Sequence, residues 1–243
     1  VNLSHPGLFT ERSPYQLDLE TQKNLDLLLD RIEGAEMFAI ISFRTGPGRN
    51  EAGFDGTQSK GALHTVWKDR EAQTAWVNMW YHTAQRYKER KIIVGYDLMV
   101  EPNANSVYFG LEDPESFYQR YSGSSYDWAP LAKRITESVR TVDQNTPILV
   151  GAMGWSNVSW LNALAPTGDP RTVYVLHQYA PDAFTHQRPP LKVSYPGTLP
   201  GGERFDLSWF SKVESPIRQF KERTKMPVAA NEFGVMRWEK GAD

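Results

Sequence analysis

Short apolar runs alternate with longer amphipathic segments along the whole of this 243-residue chain, and that alternation constrains the fold more than any other feature. The runs at residues 1–4, 37–43, 92–101, 147–153, 172–179 and 226–233 are rich in β-branched residues and almost continuously apolar. Strands covered on both faces read this way. Between them, segment 18–33 carries Leu25, Leu28, Leu29 and Ile32 on one helical face. Segment 69–90 carries Ala72, Trp76, Met79, Trp80, Thr83 and Tyr87 at mostly three- and four-residue steps, with Asp69 placed to cap it. Segments 127–142 and 206–224 complete the helical set. Strand and helix in strict turn specify βαβ units and a parallel sheet. The expected fold is therefore α/β, an incomplete TIM-type (β/α) barrel with about six βα units, over residues 1–243 as one domain. Segments 46–61 and 188–202, rich in Gly and Pro, follow strands and are expected as long loops on the C-terminal face of the sheet.

Composition narrows the function by exclusion. A net charge of −2 with no basic block argues against a nucleic-acid or anionic-membrane partner. The absence of cysteine excludes disulfides, thiolate metal sites and a cysteine nucleophile. No apolar run approaches the ~18 to 20 residues of a membrane span. No signal peptide is visible, but the chain begins at Val1 without a Met, so its natural N-terminus is expected to be missing. Eight tryptophans suit stacking on sugar rings and core packing equally well.

Two runs end on glutamate. IIVGYDLMVEPN closes on Glu101 followed by Pro102 and Asn103, and VAANEFG closes on Glu232 followed by Phe233 and Gly234. The two lie about three βα units apart, which in an eight-stranded barrel sets them across the mouth, at the rim where catalytic groups gather. One such glutamate is better read as a solvated strand end. Two, each followed at once by turn residues, are better read as a pair. Two carboxylates flanking one bond are what glycoside hydrolysis requires: one protonates the leaving oxygen, and the other attacks the anomeric carbon or activates water.

Val100-Glu101-Pro102, His177-Gln178-Tyr179 and Glu232-Phe233-Gly234 occur in the order and spacing of three motifs of glycoside hydrolase family five, the cellulase and mannanase family. The chain resembles that family over nearly its whole length. The resemblance implies a retaining enzyme acting on β-1,4-linked glucan or mannan, extracellular, with no cofactor and no metal. Glu101 would be the acid/base and Glu232 the nucleophile, with Tyr179 bonding Glu232 and His177 near Glu101. Partial burial is expected to keep Glu101 protonated near neutral pH. No His/Asp cluster has the sequence spacing of a metal site.

Departures from the family pattern are equally specific. Val100 stands where the family carries an Asn that bonds the sugar 2-hydroxyl, leaving Asn103 and Asn231 as candidates for that contact. Arg44, in ISFRTGPGR, stands near the place of a family histidine and is expected to hold a carboxylate or grip sugar hydroxyls. The arginine of the family's second strand has no counterpart near Asn2. Asp97, four residues before Glu101, is expected as a buried structural carboxyl. Trp155 and Trp238 are candidate sugar-stacking residues, whereas Trp76 and Trp80 have the spacing of core residues. Six strands against the family's eight imply a chain truncated at both ends, lacking the first and eighth strands, and open apolar edges that a second copy would cover as a homo-oligomer. Light scattering showing a monomer over a wide concentration range would count against that association. The alternative function is a catalytically impaired, carbohydrate-binding barrel.

Overall fold

The computed structural model describes residues 2–50 and 62–236. In chain order the first half comprises β1 (Asn2–His5), α1 (Leu19–Gly34), β2 (Ala39–Phe43), α2 (Arg70–Tyr87), β3 (Ile93–Asp97), α3 (Ala104–Phe109), α4 (Pro114–Tyr121) and α5 (Trp128–Arg140). The second comprises β4 (Ile148–Gly151), α6 (Val158–Leu161), β5 (Thr172–Gln178), α7 (Asp182–Thr185), β6 (Gly197–Thr198), β7 (Arg204–Phe205), α8 (Leu207–Val213), α9 (Ser215–Thr224) and β8 (Val228–Phe233). Six strands form one sheet in the order β1-β2-β3-β4-β5-β8, every neighbouring pair parallel. This is the incomplete (β/α) barrel that the alternating pattern dictates.

The helices begin where aspartates say they should. Asp18, Asp69 and Asp127 each accept hydrogen bonds from backbone amides of the first turns of α1, α2 and α5. Asp69 also accepts the Tyr15 hydroxyl at 2.6 Å. The expected helix over 206–224 is instead two, α8 and α9, divided at Glu214. Pro216 explains the division: it lacks an N–H and fits only the first turn of a helix. The 188–202 segment is not all loop, because Gly197–Thr198 pairs antiparallel with Arg204–Phe205.

Burial follows position in the sheet. All four residues of β4 are buried, as a central strand's should be. β8 has no outer neighbour among the described residues, and Ala229, Ala230 and Phe233 are exposed, Phe233 by 76%. Its apolar run, read from sequence as a covered strand, thus forms an open edge.

The tryptophans are mostly fasteners. Trp76 and Trp80 on α2, Trp67 just before it and Trp128 on α5 are fully buried. Trp76 donates to the Pro47 carbonyl at 2.8 Å, Trp80 to Leu98 at 2.8 Å and Trp128 to Gly151 at 3.0 Å. Trp67 donates to Asn103 Oδ1 at 3.3 Å. The first three acceptors lie at or just beyond the C-terminal ends of β2, β3 and β4, where the ladder stops and carbonyls need new partners. Each such bond is worth only about 1 kcal/mol net. Its larger effect is to fix the rim loops that carry the site.

Candidate active site

Glu101 does not end its strand. β3 stops at Asp97, and residues 98–102 lead away from it, tied back by the Val100 amide to Phe43 O (3.1 Å) and the Leu98 amide to Leu149 O (3.2 Å). Glu101 itself is left-handed, with φ +54°. A side chain with a Cβ pays strain there, and such residues persist only where surroundings over-determine them. Here the surroundings are Arg49, fully buried, which donates to Val100 O at 2.7 Å and to Glu101 O at 2.8 Å.

Glu232 arrives by a different device. Leu176 faces Ala230, but His177 faces Glu232, so Asn231 is an extra residue in β8. This bulge breaks the alternation that would send Asn231 and Glu232 to opposite faces. Both engage inward-facing partners: the Asn231 amide donates to Asp97 Oδ2 at 3.1 Å, and Glu232 Oε2 accepts the Tyr179 hydroxyl at 3.2 Å.

The carboxylates meet around His177. Its Nδ1 lies 2.8 Å from Glu101 Oε1 and 3.2 Å from Glu232 Oε2, and one oxygen of each carboxylate lies within 4.8 Å of the other and of that nitrogen. Arg44, immediately after β2, donates from Nη1 to Glu101 Oε2 at 2.7 Å. Both oxygens of Glu101 are therefore engaged. The side chains of Glu101 and Glu232 remain 14% and 25% exposed, facing a cleft of about 510 Å³ lined also by Tyr179, Thr185, His186 and residues 233–236. A larger cavity of about 1040 Å³, walled by Phe184, Tyr195, Phe205, Phe210 and Phe233, contains no acid. Size alone does not mark the chemistry.

Electrostatics departs from one expectation. Burial pushes the Glu101 carboxyl up, but the His177 hydrogen bond and the Arg44 charge outweigh it and leave the group below its usual range. Burial alone does not keep Glu101 protonated in the free site. Asp97, buried beneath, is the opposite case: burial, reinforced by the Glu232 charge, raises it to about 7 against the pull of His177, Asn231 and Arg44. Tyr179 is raised to about 12 by burial and by Glu232, so its hydroxyl stays a donor.

Other candidates fall at varying distances from this centre. Trp155 is 37% exposed on a left-handed run of Gly154, Trp155 and Ser156, and its amide donates to Pro102 O at 3.0 Å, beside the Glu101 turn. Asn103 is fully buried and holds the Trp67 indole, so it has no surface on the cleft. Asn231 spends its amide on Asp97. Val100 is buried. Trp238 lies outside the described residues. Although sequence spacing offers no metal cluster, the fold brings the ligand atoms of Glu101, His177 and Glu232 within 4.8 Å. The Arg44 cation at 2.7 Å from Glu101 suits a carboxylate pair better than a second positive charge. Sequence reasoning missed Arg49 and Asn105. Asn105 is buried, accepts from the Gly154 amide at 3.2 Å and so ties the β3 and β4 exits together. Arg49 carries no sequence signal beyond being a polar residue in a Gly- and Pro-rich turn, and Asn105 none beyond opening the short helix α3.

A parallel (β/α) sheet with a pair of glutamates at its C-terminal rim defines the class: a barrel of the glycosidase type. The chain belongs to glycosyl hydrolase family 5, whose cellulase profile matches residues 1–242. Endoglucanase 3 of Fibrobacter succinogenes is 29% identical over 161 residues, which are 66% of this chain and 20% of that protein. The chain thus spans about a fifth of the length of that curated relative. Among solved structures, Thermotoga maritima Cel5A in complex with cellobiose superposes with a TM-score of 0.69 at 18% identity, covering 99% of this chain and 68% of that one. The same Cel5A with a mannotriose substrate gives 0.67 at 18%, covering 97% and 67%. At that identity the likeness speaks for the fold.

Proposed function

We propose that this chain hydrolyses β-1,4-linked glucan or mannan by a retaining double displacement. The observation that carries the reading is the separation of the two acids, with one oxygen of each within 4.8 Å. Retaining glycosidases hold their carboxyl groups about 5 to 5.5 Å apart, whereas inverting ones leave room for a water at about 6.5 to 9.5 Å. Glu232 attacks the anomeric carbon as Glu101 passes its proton to the departing glycosidic oxygen. Glu101 then takes a proton from water, which attacks the same carbon and expels Glu232. Tyr179 donates to Glu232 and steadies its charge. His177 Nδ1 serves the two carboxylates with a single N–H, favouring whichever is ionised. In the free site Glu101 is held as an anion. A sugar ring displacing water from the cleft makes that charge costlier and favours uptake of the proton that the first step needs. The glucan or mannan assignment rests on relatives described as endoglucanases and on a structural neighbour solved with cellobiose and with mannotriose.

The test is release of reducing sugar from soluble β-glucan and β-mannan, with the anomer of the first product read by NMR. Retention of the β-anomer supports the proposal, and an α-product overturns it. The second reading, a binding barrel without turnover, is favoured by Val100 and by the doubly engaged Glu101. It predicts oligosaccharide binding with no sugar released.

A further inference from the structure

We propose that Arg49 is a positioning residue for the general acid, holding the backbone of Glu101 so that its carboxyl can be aimed. The proposal rests on the hydrolase reading above. Arg49 and Arg44 leave the same strand end, in the segment ISFRTGPGR, and reach Glu101 from two sides. Arg44 grips the carboxylate at 2.7 Å, while Arg49 grips the main chain at two successive carbonyls, 2.7 and 2.8 Å away. Only a planar fork of donors spans two adjacent carbonyls in this way; an ammonium is a single point of charge.

The anchor of that fork is itself rigid. Arg49 and Gly46 exchange backbone hydrogen bonds of 2.9 and 2.8 Å, and the Trp76 indole holds the Pro47 carbonyl between them. Gly48 is left-handed at φ +68°, and a Cβ there would meet the Val66 amide nitrogen at 2.8 Å. A fully buried arginine on a fixed loop thus opposes the relaxation of a strained glutamate. If the fork is removed, Glu101 can leave the left-handed region. Its carboxyl then moves off the line to the leaving oxygen, while Glu232, on another strand, stays in place.

This separates two steps that a general loss of structure would not. Protonation of the leaving oxygen matters for a poor leaving group and little for an activated one, whose departing oxygen needs no proton. Phenyl and 2,4-dinitrophenyl β-glycosides of the disaccharide released from the polymer supply the two cases. We expect kcat/KM of Arg49→Met to fall on the order of a hundredfold on the phenyl glycoside, the scale of general acid catalysis, and by no more than about threefold on the dinitrophenyl one. Azide, which needs no general base to attack the glycosyl-enzyme, should raise kcat of the variant on the dinitrophenyl substrate and form a β-glycosyl azide. Arg49→Lys keeps the buried charge and one donor, so it should fold if Met does not, and it should show the same split at a smaller size. Equal losses on the two substrates, or no loss on either, in the folded variant overturn the proposal. A wild-type chain inert on both glycosides, with the polymer assay also negative, overturns the hydrolase reading and this one with it.

Discussion

The two carboxylates are held by opposite means. Glu101 sits off the ladder, on a left-handed turn, with a guanidinium on its main chain, another on its side chain and an imidazole on its remaining oxygen. The loops around it are pinned by the indoles of Trp67, Trp76 and Trp80. Glu232 sits within an edge strand, turned inward by one bulge, and the contacts of its carboxylate among the described residues are longer, 3.2 Å to Tyr179 and 3.2 Å to His177. The next residue, Phe233, is largely exposed. In the proposed mechanism the acid that gains and loses a proton in each cycle would thus be the one fixed by charge and strain, and the nucleophile the one fixed by a strand. Elements inside the sheet position Glu101, whereas Glu232 depends on an edge.

The largest test of this contrast removes each acid. Glu232→Ala should lose on the order of a thousandfold or more in kcat on every substrate, because in the proposed mechanism Glu232 forms the covalent intermediate. Glu101→Ala should lose as much on polysaccharide yet keep the first step on a dinitrophenyl glycoside, as burst kinetics would record. Equal behaviour of the two variants would remove the division of roles. Next is Arg44→Gln. Burial favours protonation of Glu101, but His177 and Arg44 more than offset it. Without the cation the group rises towards its usual value, so the alkaline limb of kcat/KM should move to higher pH. A limb that stays put would mean that another group sets it.

Tyr179→Phe should cost less, about tenfold in kcat/KM or ~1.4 kcal/mol, the scale of one hydrogen bond to a charged group. The last test reads stability and not rate. Asp97 is at about 7 in the folded chain against 3.8 for an unperturbed aspartate, so the folded state keeps a proton that the unfolded state releases between those values. Its contribution therefore falls as pH rises from about 4 to about 7. Asp97→Asn should flatten that slope, seen as a smaller drop in Tm between pH 4.5 and 7.5 than in the wild type. An unchanged difference would place the carboxyl in a better-solvated setting than its burial indicates.

Much of this was legible before any coordinates. Periodicity marks all six sheet strands and the main helices, because a strand buried on both faces and a helix buried on one leave different spacings of the same apolar residues. The aspartates before α1, α2 and α5 mark their starts for an equally local reason. The carboxylate pair is visible as two apolar runs ending on glutamate. What could not be read are the things that depend on how far a strand continues. Residues 98–102 look like strand and are a turn, because the ladder partners end first. The apolar run of β8 looks covered and lies open, because coverage belongs to neighbours and not to the run itself. The break at Glu214 needed only Pro216, a signal present in the sequence and overridden there by the helical spacing around it.

The order of residues alone thus determined the alternation of strand and helix, the capping of three helices and the two apolar runs that end on glutamate, since each depends on side chains close along the chain. Tertiary structure decided the rest: which tryptophans fasten loops, that Arg49 lies beneath Glu101, that His177 stands between the carboxylates and that Glu101 is held as an anion. Distance, burial and charge between residues far apart in sequence set all of these, and no local pattern encodes them.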